Sequence, residues 1–406
     1  MRKIVFFLET NKPLNEDQLI FLNLAKYLAD NSDRKVFYVN NFFKDDSVRI
    51  SSSGLRYSTP DTFDYSLSND AVFFTPVNYL MHLLVRIKDY PYAKICLYQY
   101  SSQAVNWLCN NMFNTCSSKT MDEFLNGYIS RSYMDYGCVG QYDCNVNISD
   151  KFYLPGVLSE KIADDYSAEN LIDNGRLNIG YLGALNSEAI CSLYNLFSNL
   201  ALSQNDKKTD IHIIGKAKIS LNSGFKKSST NLTRVIFTGD IDKESRKNYV
   251  KKNVDILIAS RVNAVEGATY GVPVIVPVCD NKPFTGNNYV YLFDTKGYRY
   301  LLDYMGLVAS TSKSYKIDKV LSDVYDSGEK TILAEACYKY CLENNTLEAV
   351  ADKFISLINN CDLNVKDCLC EQYFMNSLKQ YDDYMKANGH KNYTEYLQAK
   401  KAAQKK

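Results

Sequence analysis

The sequence predicts an α/β protein of two Rossmann-like, doubly wound parallel-sheet domains with a helical C-terminal extension. Three observations carry this reading. Short apolar runs alternate with helix-period segments along most of the chain, the order of a sheet covered by helices. Several runs, such as Ile256-Leu257-Ile258-Ala259 and Pro273-Val274-Ile275-Val276, are apolar without alternation, as strands buried on both faces must be. The alternation breaks once, at Phe152-Tyr153-Leu154-Pro155-Gly156-Val157, and restarts at Leu177.

The first domain is expected over 1–155. Lys3 to Leu8 is its opening strand. Asn15 to Asp30 is a helix with Ile20, Leu24 and Leu28 on one stripe, and Asn15 and Gln18 have the offset of a capping box. Lys35–Val39 and Ala71–Thr75 are strands, Val77–Ile87 is helical, and Lys94–Tyr98 is a strand. Residues 102–114 and 120–135 read as helices. Pro155-Gly156 and the polar stretch after it make the linker.

The second domain is expected over 156–360. Leu177–Gly183 is its first strand. Asn186 or Ser187 caps a helix with the stripe Ile190, Leu193, Tyr194, Phe197 and Leu200. Strands follow at Asp210–Ile214, Val235–Thr238 and Val254–Ala259, with a charged helix, Lys243–Lys252, between the last two. Val265–Tyr270 is a short helix ended by Gly271, and Pro273–Val276 is a strand. Beyond 310 the chain is helical. A tail over 361–406 carries Phe374, Leu378, Tyr381 and Met385 at helical spacing, so it docks on something.

Composition narrows the function. The 406 residues carry 47 Lys plus Arg against 46 Asp plus Glu, which argues against a dedicated nucleic-acid binder. No apolar run is long enough to span a membrane. Met1-Arg2-Lys3 and the short run to Leu8 read as a strand and not as a signal peptide. The 12 cysteines form no C-x2-C pair and none lies near a His at zinc spacing, so reduced, buried thiols in a cytoplasmic protein are expected. No essential metal is expected. The three histidines, His82, His212 and His390, form no recognisable catalytic group, and no G-x-S-x-G occurs.

The most informative stretch runs from Val254 to Ile275. It reads as a buried strand, a polar loop Ser260-Arg261-Val262-Asn263, a short helix opening near Glu266, and a Gly271-x-Pro273 stop before the next strand. A carboxylate there can accept hydrogen bonds from vicinal ribose hydroxyls. The loop sits where doubly wound sheets take ligands.

This pattern resembles the carboxyl-terminal domain of GT-B glycosyltransferases, especially family 4 and its relatives. Ser260, Glu266, Gly271, Pro273, Val274 and Ile275 match the motif. Leu154-Pro155-Gly156-Val157 resembles the linker. Ile179-Gly180-Tyr181-Leu182-Gly183, Ile213-Ile214-Gly215 and Val235-Ile236-Phe237-Thr238-Gly239 resemble the first donor-domain strands, and Leu24-Ala25-Lys26-Tyr27-Leu28 the first helix. The resemblance covers roughly residues 1 to 360. It implies a GT-B fold with the two domains facing a cleft, a nucleotide-diphosphate sugar as co-substrate, no other cofactor, and retention of anomeric configuration.

Donor-binding candidates are Glu266 for the ribose, Ser260 and Arg261 in the loop, Lys216 as a cation beside the diphosphate, Gly183 and Gly239 for close backbone approach, and Ile241 against the base. Lys218 lies near Lys216. The family's first glutamate is not found: counting back from Glu266 lands on Ile258. Its basic pair is replaced by Gly183-Ala184-Leu185-Asn186-Ser187-Glu188, its glycine pair by Asn11-Lys12-Pro13-Leu14, and its histidine by Tyr98-Gln99-Tyr100. No catalytic residue is assigned.

The expected function is transfer of a sugar from a nucleotide-diphosphate donor to a glycan or lipid-linked glycan, in surface polysaccharide or glycoconjugate assembly. Location is cytoplasmic, with peripheral contact to the inner face of a membrane or to a partner glycosyltransferase as open options. A non-catalytic GT-B scaffold is the alternative, and a nucleotide-sugar epimerase the third.

Overall fold

The computed structural model describes residues 2–10, 16–41, 54–99, 128–130, 166–203, 207–216, 232–260, 262–278, 283–295, 313–388 and 393–403. The Pro155-Gly156 start of the expected linker, the 102–114 helix, Lys218, Arg261 and His390 lie outside them. The chain forms two compact units: the described residues up to 130 together with 351 onward, and those from 166 to 350.

The first unit holds a sheet of β1 (Lys3–Leu8), β2 (Val36–Asn40), β3 (Arg56–Ser58), β4 (Ala71–Pro76), β5 (Lys94–Gln99) and β6 (Tyr128–Ser130) in the order β3-β2-β1-β4-β5-β6. All its pairings are parallel. The helix expected over 120–135 is corrected at its centre. Tyr128-Ile129-Ser130 pairs with Leu97-Tyr98-Gln99 as an edge strand, because a short apolar run carries no period that separates strand from helix.

Helix α1 (Glu16–Asn31) buries Phe21, Leu24, Ala25 and Leu28. Helix α2 (Leu80–Ile87) follows β4. Phe6, Phe21, Phe74 and Tyr98 meet edge to face, with Phe21 and Phe74 ring centroids 5.0 Å apart, a geometry that adds about 0.5–1.5 kcal/mol per pair to the gain from burial.

The second unit holds β7 (Arg176–Leu182), β8 (Lys208–Ile214), β9 (Thr233–Gly239), β10 (Ile256–Ala259), β11 (Val274–Pro277) and β12 (Tyr289–Tyr291) in the order β12-β11-β10-β7-β8-β9. Only the β11–β12 pairing is antiparallel. Its helices are α3 (Ser187–Leu202), α4 (Lys243–Asn253), α5 (Val262–Gly267), α6 (Ile317–Leu321) and α7 (Lys330–Asn345).

Alternate residues of β10 face opposite cores. Leu257 and Ala259 pack with Val250, Val265, Tyr270 and Cys337. Ile256 and Ile258 pack with Leu193, Leu196, Ile317 and Val324. Asn186 is the cap of α3, accepting from the Ala189 amide at 2.9 Å. Tyr194, placed on the apolar stripe by the sequence, is half exposed, and Leu196 takes the buried position.

The amino end of this sheet is locked by buried charge. Lys330, opening α7, places its Nζ 2.8 Å from Asp255 Oδ1, with side chains 2% and 0% exposed. Asp255 also accepts from the Ile172 amide at 3.0 Å, Asn178 Nδ2 at 2.8 Å and the Tyr325 hydroxyl at 3.2 Å. Beside it, Asp210 takes Arg176 and Arg234. Burial alone would lift the Asp210 pKa, but the two guanidiniums hold it below the ordinary carboxylate range.

The C-terminal helices α8 (Leu347–Asn359), α9 (Val365–Leu369), α10 (Gln372–Asn388) and α11 (Tyr393–Ala403) complete the chain, and from Ala351 they group with the first unit. Phe354 lies edge-on to Phe74 at 4.8 Å and against Phe6. Cys361 Sγ donates to the Ile95 carbonyl at 3.0 Å, and Lys88 binds Asp382 at 2.7 Å. No helix among the described residues is long and apolar enough to cross a membrane.

Candidate functional site

Parallel strands β7 to β10 end on one edge of the second sheet, and the strand order reverses between β7 and β10. That reversal opens a crevice at the carboxyl ends. The ladder runs one step past the strands. The Gly183 amide donates to the Ile214 carbonyl at 3.0 Å, and the Gly215 amide to the Gly239 carbonyl at 3.0 Å.

The row needs glycine. Gly183 and Gly215 both have φ of +145°, and a Cβ on Gly215 would lie 2.3 Å from the Gly183 oxygen. Backbone therefore approaches backbone with no side chain between. Gly239 has φ +78° and open space around it. Lys216 follows Gly215 and is exposed. Its carbonyl accepts from the Leu185 amide at 3.0 Å.

On the other side of the reversal, Ala259 pairs with Leu182, so half-buried Ser260 follows β10 level with Gly183. A Cβ on Gly183 would lie 3.2 Å from Asn263 Nδ2, which sets α5 beside the glycine row. Helix α5 begins at Val262, so Glu266 is its fifth residue. The sequence expectation of a helix opening at Glu266 is corrected, because the turn starts on Val262-Asn263, where no Ser, Thr or Asp cap marks it.

Glu266 is gripped on one oxygen. Arg246 Nη1 of α4 donates to Oε1 at 3.1 Å, with the two side chains 17% and 14% exposed. The Tyr270 hydroxyl, one turn on and buried, donates to the same Oε1. Burial pushes the Tyr270 pKa up, and the Glu266 charge pushes it further, so the hydroxyl stays protonated as a donor. Arg246 Nη2 reaches the Ile241 carbonyl at 3.4 Å. Ile241 itself packs partly against the core below.

Ser260, Gly183, Gly239, Lys216 and Ile241 thus sit at or just past the same strand edge, and Glu266 lies on α5 behind Ser260. Arg261 lies outside the described residues. Sequence reasoning missed Arg246, Tyr270 and Asn263. Two signals were there. Arg246 lies four residues before Val250, the buried residue of α4, and so on the same helix face. Tyr270 is four residues from Glu266, the spacing at which helical side chains meet.

Two other polar groups lie elsewhere. His212, in β8, has Nδ1 2.8 Å from the Tyr249 hydroxyl of α4. Its Nε2 is buried with no hydrogen-bond partner among the described residues. Burial depresses its pKa to about 4, so the ring is neutral. In the first unit, Glu9 follows β1 at the reversal between β1 and β4. Arg86 of α2 forks onto it at 3.1 and 3.3 Å and also binds the Pro60 carbonyl and Asp61. His82 Nδ1 lies 3.4 Å from Glu9. Burial alone would raise the Glu9 pKa; His82 and Arg86 reverse this and hold it low. The cluster is closed on itself and reads as a staple. Among the described residues no three His, Cys, Asp or Glu side chains gather as a metal site.

No protein-family model matches the chain, and no curated protein sequence matches it significantly. Solved structures do. The lipopolysaccharide outer core galactosyltransferase WaaB superposes with a TM-score of 0.52 at 12% identity, over 88% of this chain and 99% of that one. Sucrose-phosphate synthase from Thermosynechococcus elongatus gives 0.50 at 11% identity, over 88% and 98%. A trehalose-6-phosphate protein from E. coli bound with UDP-2-fluoro glucose gives 0.50 at 10% identity, over 88% and 99%. At such identities the likeness is one of fold: the chain has the GT-B architecture.

Proposed function

We propose that the protein is a glycosyltransferase that moves a sugar from a nucleotide-diphosphate donor to a glycan or lipid-linked glycan. The second unit takes the donor and the first the acceptor. The carrying observation is the glycine row and Ser260 at the carboxyl edge of the second sheet, with α5, which carries Glu266, set beside that row through Asn263. The compared structures support the reading: one is a galactosyltransferase and another is bound with a UDP sugar.

In the reaction, the bond between the sugar C1 and the diphosphate oxygen breaks and a bond from an acceptor hydroxyl to C1 forms. The hydroxyl proton is released to water, and the diphosphate departs with the electron pair of the broken bond as added negative charge. Exposed Lys216, just past β8, is a cation that can meet that charge; Arg261, outside the described residues, is the second candidate from the sequence. Bare backbone at Gly183 and Gly215 lets phosphate approach the amides. Glu266 accepts from the ribose. Retention of configuration is part of the reading, and no resident metal is called for.

Thermal shift with ADP, GDP, CDP and UDP tests it. One of them should stabilise the protein, by about 2.7 kcal/mol at a hundredfold excess over its Kd, with EDTA making no difference. Glu266→Ala should abolish the shift. One feature favours the scaffold reading instead: no base stands between Gly183 and Glu188. A wild-type protein silent to all four diphosphates would decide for the scaffold.

A further inference from the structure

We infer that Arg246 and Tyr270 are positioning residues that hold one oxygen of Glu266 and aim the other at ribose, giving the second unit a preference for ribonucleotides over 2′-deoxyribonucleotides. The inference rests on the donor-site reading above and deepens it.

A carboxylate has about four lone-pair sites, two on each oxygen. Oε1 of Glu266 takes the Arg246 Nη1 donor at 3.1 Å and the Tyr270 hydroxyl, which fills it. Oε2 takes no donor from the described residues. A vicinal diol therefore meets one open oxygen. The two holding donors come from different elements, α4 and the turn after α5, so the carboxyl plane is fixed from two directions. The Tyr270 donor is kept near neutral pH, because burial first and the Glu266 charge second push its pKa up.

Charge points the same way. A nucleoside diphosphate brings about two to three negative charges, and a lone carboxylate beside it would repel. Paired with Arg246, Glu266 offers an acceptor with little net charge. The chain has no base in the stretch from Gly183 to Glu188, and Arg246 supplies a cation from a different helix. The same guanidinium donates to the Ile241 carbonyl at 3.4 Å, so it also ties the loop after β9 to Glu266.

The test is calorimetric titration of the full chain with matched pairs: ADP and dADP, GDP and dGDP, CDP and dCDP, UDP and dUDP. For the base that binds, the ribo form should bind at least about tenfold tighter, the size of one hydrogen bond to a charged group. Tyr270→Phe, which keeps the ring, should cut that ratio about threefold or more. Arg246→Ala should bring it near one, and Arg246→Lys should restore part of it. Denaturant midpoints identify folded variants; if Arg246→Ala does not fold, Tyr270→Phe and Arg246→Lys carry the test. Discrimination that persists in the folded variants overturns the inference and leaves the donor site standing. Equal binding of both sugars by the wild type also overturns it. No binding of any diphosphate removes the donor site itself, and the inference with it.

Discussion

The two ends of the second sheet are built from opposite chemistry. At the amino end, Asp255 and Lys330 are buried, and Asp255 has a partner on both oxygens. At the carboxyl end stand bare glycine backbone, an exposed lysine and a carboxylate with one oxygen filled. One end spends its polar groups on the fold. The other leaves them open. The contrast teaches that the amino end can hold the sheet rigid while the carboxyl end carries bare glycine backbone and an unfilled acceptor, open to a ligand.

Lys330→Ala should break the contrast most severely. It leaves Asp255 as a buried charge without its cation and should cost about 3–5 kcal/mol, read as a lower urea midpoint. A loss under about 1 kcal/mol would mean the closed end is not what holds the sheet. Gly215→Ala comes next, at about 2–4 kcal/mol, since the new Cβ meets the Gly183 oxygen and φ is unfavourable. Gly239→Ala is its control. With open space around it, it should cost only about 1–2 kcal/mol. Equal losses would show that the close approach of backbones is unimportant.

His212 lies between the two ends, in β8, and gives a pH signature. Its folded pKa, about 4, is below the ordinary histidine value of 6.5. The unfolded chain therefore takes up the proton first, and stability falls as pH drops. Between about pH 7.5 and pH 5 the loss should be about 2 kcal/mol. Asp210, held low, and Arg234, held high, act on the same ring and keep their charges through that window, so His212→Phe should flatten this part of the profile. An unchanged slope would assign it to other groups. Lys216→Ala should have the smallest effect on stability, within about 0.5 kcal/mol, while weakening binding of nucleoside diphosphate. A large loss of stability would move Lys216 from the open end to the closed one.

Much of this architecture is legible in the sequence, for a physical reason. Strands such as Ile256–Ala259 and Val274–Pro277 are covered on both faces, and their short length, their Ile and Val content and the Gly-x-Pro stop between them mark them as strands. The edge strands Tyr128–Ser130 and Tyr289–Tyr291 were illegible, because three residues pairing on an edge carry no periodic signal. At the site, positions following strand ends could be read: Gly183, Lys216, Gly239 and Ser260 fall where the strands stop. What Glu266 touches could not. Its partner Arg246 sits on a helix whose 11 residues are mostly charged, where one more charge looks solvated until the buried Val250 four residues on is set beside it.

The place of Phe354 in the aromatic cluster of Phe6 and Phe74 has a consequence for biogenesis. A ribosome adding roughly 5 to 20 residues per second delivers Phe354 about 15 to 55 seconds after Phe74. Throughout that interval the nascent first sheet lacks a wall of its own interior, while the second sheet is translated whole. The unit begun first is therefore the one finished last, and its uncovered aromatic side chains are where a chaperone would be needed.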